Sequence, residues 1–120
     1  MHELSICLAL VEQATRIAGE HGARAIARID LKIGPLSGVE PELLRNAFPL
    51  AAAGTPAEHA ELVIEDDAIR VACTSCGEES TASANRLLCT NCGDYRTRLL
   101  SGDAMVLSRL ELDGVERLPA

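Results

Sequence analysis

Aromatic side chains are nearly missing from this sequence. Its 120 residues include one Phe, one Tyr and no Trp, although hydrophobic residues make up 48% of the chain. The core must therefore be built from aliphatic residues and alanines, and an alanine removes far less surface from water than an aromatic ring does. Such a thin core predicts a further stabiliser, such as a bound metal. The length suits one domain, or one domain with a small insert.

Basic residues and long apolar runs are also scarce. Eleven Lys and Arg face 18 Asp and Glu, giving a formal net charge of -7, and this sign disfavours a protein that binds phosphate backbones. No apolar run reaches the ~18 residues that a membrane span needs, and the acidic opening residues do not resemble a secretory leader. The five cysteines are then expected in a reducing compartment, the cytoplasm, where paired cysteines more often bind metal than form disulfides.

The hydrophobic pattern predicts two helices and three strand regions. The helices are expected at residues 3–21 and 41–53, and the strands at 28–33, at 62–64 with 69–71, and at 105–112. His21 and Gly22 supply a stop for the first helix, whereas Pro49 predicts a kink or an early end in the second. Asp66 and Asp67 are interpreted as a bulge within one strand region. We expect an α+β fold with a small mixed three-stranded sheet, two helices and, from the cysteine spacing described next, an inserted zinc-ribbon lobe.

Two Cys-x-x-Cys pairs are the most specific chemical signal in the chain. They are Cys73 with Cys76 and Cys89 with Cys92, and a glycine follows each pair. Two intervening residues let both thiolates of one turn bind the same ion, and two such turns complete the tetrahedron that zinc prefers. The pattern predicts a closed, structural zinc site in a ribbon lobe over residues 70–101. A similar four-sulfur cage holds iron in small electron carriers, so that alternative stays open.

The first residues give a second, weaker metal signal. The terminal amine, the amide nitrogens of His2 and Glu3, and the His2 ring can surround one ion in a plane. Planar nitrogen ligation suits nickel(II) or copper(II) and not zinc. The first amides of a helix have no intrahelical acceptor, so the proton loss that this ligation requires breaks few hydrogen bonds. The ordinary alternative is a frayed, solvated histidine.

Several segments together resemble the HypA/HybF family of hydrogenase maturation proteins. They occur in order along the chain: Met1-His2-Glu3-Leu4-Ser5, the stretch from Ile33 to Pro41, Ala60-Glu61-Leu62, the two Cys-x-x-Cys-Gly turns, and Gly102-Asp103. The resemblance implies a nickel metallochaperone that works with the GTPase HypB and delivers nickel to the large subunit of NiFe-hydrogenase. It also implies a division of ligands, with nickel at Met1, His2 and Glu3 and structural zinc at Cys73, Cys76, Cys89 and Cys92.

Under this interpretation the chain has two domains and is a metal carrier rather than an enzyme. Residues 1–69 and 102–116 would form a nickel-binding α/β domain, residues 70–101 a zinc-binding ribbon domain, and residues 117–120 a disordered tail. The sequence shows no nucleophile with its base and no phosphate loop. The alternative function is a zinc-ribbon adaptor or nucleic-acid-binding module without nickel. Whether the protein forms a homodimer or also supplies urease stays open.

Three other residues invite a metal role but have simpler explanations. Cys7 lies on the apolar side of the first helix, which favours a buried structural thiol. His59 lies in a polar loop and is expected to be solvated. Glu40 occupies a position where some relatives have an aspartate thought to approach the nickel, yet an acidic residue before a helix is favourable in any case.

Overall fold

The computed structural model describes residues 2–114, which form two helices and six strands. The elements are helix α1 His2–Glu20, strand β1 Ala25–Ile33, helix α2 Pro41–Ala52, and strands β2 Glu61–Asp66, β3 Ile69–Cys73, β4 Glu79–Ala82, β5 Thr97–Ser101 and β6 Met105–Asp113. The strands form two three-stranded sheets, ordered β2-β1-β6 and β4-β3-β5. The predicted α+β class is confirmed.

The chain divides into two compact units. Within the described residues, one unit contains residues 2–31, 40–64 and 107–114 and is called the helical unit below. The other contains residues 32–39 and 65–106 and is called the cysteine unit. Among residues 2–114 no helix is both long enough and apolar enough to pass through a membrane. The predictions for Met1 as a ligand and for a tail at residues 117–120 lie outside the described residues.

Helix α1 is amphipathic and ends where the sequence predicts. Its buried positions recur every three or four residues, as on the inward face of a surface helix: Glu3, Cys7, Leu10, Val11, Ala14 and Ala18. At its C-terminal end the N–H of His21 donates to the Ile17 oxygen at 3.2 Å, and Nδ1 of the His21 ring lies 2.9 Å from the same oxygen. Gly22 follows with φ 69°, the left-handed conformation that glycine adopts without strain.

Helix α2 packs against α1 and runs past its internal proline. Pro41 fits the first turn, where an N–H has no intrahelical partner. The early end expected at Pro49 is wrong, because the helix continues to Ala52 and the N–H of Ala53 still bonds to the Pro49 oxygen at 3.1 Å. Pro49 lies on the exposed side of the helix, so its missing N–H leaves no acceptor stranded in the core.

The sheet that contains β1 is mixed. The start of β1 is hydrogen-bonded to the end of β6, and the end of β1 to the start of β6, as in an antiparallel pair. The start of β1 is also bonded to the segment before β2, and the end of β1 to the residue after β2, as in a parallel pair. These hydrogen bonds join the N–H of Arg24 to Asp113 O (3.0 Å), Gly34 to Ala104 O (3.0 Å), Ile26 to Pro56 O (2.9 Å) and Asp67 to Ile33 O (3.1 Å). The mixed three-stranded sheet is thus confirmed.

Residues 61–73 form two strands of different sheets, and not one bulged strand. Strand β2 ends at Asp66 and pairs in the first sheet, whereas β3 begins at Ile69 and lies at the centre of the second. The predicted bulge at Asp66 and Asp67 is therefore wrong. Strand β2 carries a short apolar run and β3 an apolar–polar alternation, and neither pattern distinguishes a bulge from a change of sheet.

The second sheet lies wholly in the cysteine unit and is antiparallel. Strand β3 pairs with β4 through Val71 opposite Ser80, and with β5 through Val71 opposite Leu99, with an irregularity between Arg70 and Val71. Strands β4 and β5 were not predicted. Strand β4 has the sequence Glu-Ser-Thr-Ala, which offers no apolar alternation to detect.

Two glycines of the cysteine unit allow backbone segments to touch. A Cβ on Gly34 would overlap the backbone of Gly102, and a Cβ on Gly102 would lie 2.7 Å from Cγ1 of Ile69. Gly102 also has φ 100°, a region that other residues avoid. The N–H of Leu36 donates to the Gly102 oxygen at 2.8 Å, which uses this close approach.

Candidate metal sites

Two turns with the same backbone hydrogen bonds carry the four paired cysteines. In each turn the first cysteine donates its N–H five residues ahead, and its carbonyl accepts the N–H of the glycine. These bonds are Cys73 N–H to Glu78 O (2.9 Å), Gly77 N–H to Cys73 O (3.1 Å), Cys89 N–H to Asp94 O (3.0 Å) and Gly93 N–H to Cys89 O (2.8 Å). Both glycines have φ 78°. The same turn geometry is therefore present twice.

The turns bring all four sulfur atoms together. The sulfurs lie within 4.8 Å of one another; those of Cys73 and Cys92 are 3.6 Å apart, and those of Cys76 and Cys89 are 3.7 Å apart. A zinc–sulfur bond of about 2.3 Å corresponds to about 3.8 Å along the edge of a tetrahedron, so this spacing fits one zinc ion. Protein sulfurs would fill every position around such an ion, which is the arrangement of closed zinc sites.

Backbone amides point at the sulfurs from within each turn. Sγ of Cys73 accepts the N–H of Ser75 and of Cys76, each at 3.4 Å. The pKa of the Cys89 thiol is lowered, and the N–H of Cys92 is the largest cause. Burial acts to raise this pKa, but the N–H of Asn91 lowers it further. Amide donors favour the thiolate, which is the form that binds metal.

The four thiols do not all ionise easily without a cation. The pKa of Cys92 is raised to about 12: the N–H of Asp94 acts to lower it, but hydrogen bonding among the neighbouring thiols and burial raise it by more. Like charges at this distance oppose each other. The chemistry of the donor set therefore fits a site that needs a divalent cation to hold four sulfurs together.

Polar side chains near the turns escaped sequence reasoning. Asp94 bonds to the hydroxyl of Ser75 and to the guanidinium of Arg96. These contacts hold the pKa of Asp94 well below its usual range, with Arg96 the larger cause and Ser75 the next. Nδ2 of Asn91 lies 3.6 Å from Sγ of Cys76. The one available signal was that the two turns, Cys-Thr-Ser-Cys-Gly and Cys-Thr-Asn-Cys-Gly, differ at a single position.

The start of α1 is built differently from the cysteine site. His2 leaves 65% of its side chain exposed, whereas only 10% of the Glu3 side chain is exposed. Oε2 of Glu3 lies 3.5 Å from Nδ1 of His2 and accepts the backbone N–H of Glu40 at 3.4 Å. Burial acts to raise the pKa of Glu3, but its own N–H, the N–H of Glu40 and the His2 ring together leave that pKa lowered. An ionised carboxylate therefore lies beside the exposed imidazole.

The other candidate residues behave as simple structural groups. Cys7 is fully buried, donates to the Leu44 oxygen at 3.4 Å, and has its pKa raised mainly by burial. His59 is exposed, as expected. Glu40 precedes α2 and makes no side-chain capping bond; it is the backbone N–H of Glu40, and not its carboxylate, that reaches the Glu3 side chain.

The sequence is similar to a family of nickel carriers. Residues 1–112 match a family model described as "Hydrogenase/urease nickel incorporation, metallochaperone, hypA". A hydrogenase maturation factor HypA from Nitrosospira multiformis is 46% identical over 112 residues, 93% of this chain and 97% of the relative. Another HypA, from Aquifex aeolicus, is 41% identical over 113 residues, which cover 94% of this chain and 98% of the relative.

Solved structures share the fold. The solution structure of the Ni metallochaperone HypA from Helicobacter pylori superposes with a TM-score of 0.70 at 23% identity, covering 92% of this chain and 97% of that one. A second solution structure of a HypA protein gives a TM-score of 0.72 at 24% identity, with coverages of 93% and 96%. At this level of identity the likeness concerns the fold alone.

Proposed function

We propose that this chain, which belongs to the HypA family of nickel-incorporation metallochaperones, binds nickel(II) at Met1, His2 and Glu3 and delivers it for maturation of NiFe-hydrogenase. Membership in this family makes the chain a metal carrier and not an enzyme. The single observation that supports the nickel site is the exposed His2 ring beside the buried carboxylate of Glu3 at the start of α1.

The proposed nickel ligands are nitrogen atoms. The amine of Met1, the amides of His2 and Glu3, and the His2 ring form a planar set that suits nickel(II) and not zinc. The positive end of the helix dipole repels a cation at this position, and the ionised Glu3 carboxylate opposes that repulsion. Nickel is the cargo here, so the site must also let it go.

Exposure of His2 supports release by ligand exchange. With 65% of the side chain open to solvent, an acceptor protein can reach the ion without opening a core. Thiolates on the acceptor are softer ligands than an imidazole and would draw the nickel across. The four cysteines differ in ligation and not in exposure, because Cys76 and Cys92 are exposed but protein sulfurs would fill every position around the ion.

We assign the four paired cysteines to a resident zinc ion. Their sulfur spacing and amide donors support tetrahedral zinc, which supplies folding free energy when it is bound. Reduced thiolates also fit the cytoplasm, where we place the protein.

An exposed apolar strip supports protein docking beside the nickel site. Leu43 and Leu50 of α2 are 52% and 75% exposed. With Leu4, Ala47 and Glu3, they line a cavity of about 250 Å³. Asn46 also lines this groove, and apolar side chains that gather in a groove rimmed by polar residues are a candidate interaction surface. We propose that a HypB-type GTPase docks on this strip and that the hydrogenase large subunit receives the nickel.

Nickel titration of the untagged protein tests the terminal site. Because the ring supplies one donor, His2→Ala should weaken nickel binding at least about tenfold, or about 1.4 kcal/mol, and an N-terminal extension that removes the Met1 amine should act likewise. His59→Ala removes another exposed imidazole and serves as the matched control. Parent-like nickel affinity in both terminal variants would refute the proposal.

Calorimetric binding to a purified HypB-type GTPase tests the strip. Leu50→Asp should weaken binding by at least about tenfold, whereas Leu100→Asp, on a side chain that is 37% exposed, should not. Unchanged GTPase affinity contradicts the assignment. The assignment is also contradicted if Leu50→Asp weakens binding to the hydrogenase large subunit alone. A third contradicting result is loss of a homodimer in sedimentation while this variant still binds the GTPase.

The alternative of a nucleic-acid-binding ribbon is less well supported. Residues 70–101 hold four arginines and three acidic residues, so this lobe carries almost no net positive charge and the acidic surplus lies in the rest of the chain. The guanidinium of Arg96 pairs with Asp94 at 3.0 Å and lies 5.9 Å from the centre of the Tyr95 ring. The basic and aromatic groups that would bind a strand are thus partly engaged with each other.

A further inference from the structure

The two cysteine turns are nearly identical in sequence, and each uses its one distinct residue to reach the other turn. The hydroxyl of Ser75, in the first turn, donates a hydrogen bond to the carboxylate of Asp94, the residue that directly follows the second turn. Asn91 of the second turn places Nδ2 3.6 Å from Sγ of Cys76 in the first. The contacts are reciprocal, and neither residue is a metal ligand.

A second set of bonds fixes the acceptor of the Ser75 contact. The carboxylate of Asp94 accepts hydrogen bonds from Nε and Nη2 of Arg96, at 3.2 and 3.0 Å, and from the backbone N–H of Arg96 at 2.9 Å. The Arg96 carbonyl in turn accepts the N–H and the hydroxyl of Thr74, at 2.9 and 2.6 Å. The chain of bonds therefore starts in the first turn, passes through Asp94 and Arg96, and returns to the residue that precedes Ser75.

We propose that Ser75, Asn91, Asp94 and Arg96 are positioning residues that hold the two turns at the separation zinc requires. This inference rests on the proposed zinc site. The hydrogen bonds of these four residues join the two turns from outside the ligand set, so they hold the sulfur atoms close together without using a ligand position. Hydrogen-bonded groups around a metal's ligands typically change its affinity 10- to 100-fold.

Zinc competition on the full chain measures the effect. Ser75→Ala, Asn91→Ala and Asp94→Asn are titrated against a chromophoric chelator, and each should bind zinc about 10- to 100-fold more weakly than the parent. Ser75→Thr keeps a hydroxyl and should recover most of the lost affinity. The matched control is Glu111→Gln, which breaks another arginine pair with the same spacing, Arg109 to Glu111 at 2.7 Å, and should leave zinc binding unchanged.

Cobalt(II) separates a positioning role from general loss of structure. In the cobalt-loaded protein, Asn91→Ala removes a donor from a ligand sulfur, so the sulfur-to-cobalt charge-transfer band should shift while circular dichroism of the loaded protein stays parent-like. Glu111→Gln should not shift the band.

The outcomes distinguish this inference from the function on which it rests. A parent that binds no zinc defeats the zinc assignment itself. A parent that binds one zinc, with Ser75→Ala, Asn91→Ala and Asp94→Asn all within about twofold of it, overturns the positioning role alone. Loss of affinity in the control to the same degree also overturns it, because the effect would then be a general one.

Discussion

The two units of this chain keep their shape by different means. Most of the buried apolar side chains in the described range belong to the helical unit, among them Ile26, Ile29 and Leu44. In the cysteine unit two of the buried side chains are Cys73 and Cys89, which are candidate ligands. Where a short chain has few aromatic residues, one part can rest on packing and the other on a metal.

The two candidate metal sites differ in the same way. The four cysteine sulfurs are placed by backbone turns, and protein fills every position around the ion. At the start of α1 the ring of His2 is exposed and only the Glu3 carboxylate is held. Closed ligation suits an ion that stays, and open ligation suits an ion that leaves.

Removal of zinc should have the largest effect and should be confined to one unit. After chelation we expect the cysteine unit to become sensitive to protease while α1 and α2 keep their protection, because sulfur ligation supplies the folding energy of that unit. Limited proteolysis followed by mass spectrometry reads out the cleavage sites. Protease resistance of residues 73–92 after stripping would break the comparison.

A core truncation should act on the other unit. Leu44→Ala removes a fully buried side chain of α2 and should lower the free energy of unfolding by about 2–5 kcal/mol. The neighbouring Leu43 is 52% exposed, so Leu43→Ala should stay within about 0.5 kcal/mol of the parent. Denaturant unfolding measures both. Equal losses in the two variants would show that α2 is not packed as described.

The close approach of two backbone segments should cost less to disturb. Gly34→Ala places a methyl group against the backbone of Gly102, and such overpacking lowers stability by about 1–3 kcal/mol. Gly19 lies in α1 with nothing within 4 Å of an added Cβ, so Gly19→Ala should raise stability by about 0.5–1 kcal/mol. Thermal unfolding of zinc-loaded protein compares the two, and effects of the same sign would contradict the geometry.

The smallest effect is expected at the fifth cysteine. Cys7→Ala loses a buried sulfur beside the Leu44 oxygen and should cost about 1 kcal/mol. It should leave one zinc per chain, as measured by elemental analysis. A fall in zinc content would mean that the fifth thiol is not merely structural.

Local patterns made much of the fold predictable. Apolar spacing located α1, α2, β1 and β6, and Gly22 marked the end of α1. The change of sheet between Asp66 and Ile69 was missed because the apolar pattern of a strand does not specify its partner. Strand β4 was missed because it is short and polar.

The candidate sites show the same limit. The two cysteines of each pair are separated by only two residues, so the sequence predicted the turns that carry them. The contact from Ser75 to Asp94 spans 19 residues and depends on how the two turns meet. The buried Glu3 carboxylate accepts the N–H of Glu40, which lies directly before α2. Spacing along one element does not reveal either.

The uneven spread of charge has a consequence for how fast metal arrives. The excess of acidic residues lies outside residues 70–101. Hydrated dications in solution are therefore attracted to the remaining residues, which include the proposed nickel site at the start of α1. Electrostatic steering of this kind acts over a Debye length of about 8 Å in physiological salt and weakens as ionic strength rises. Nickel capture should thus slow in concentrated salt even where the bound complex is equally stable.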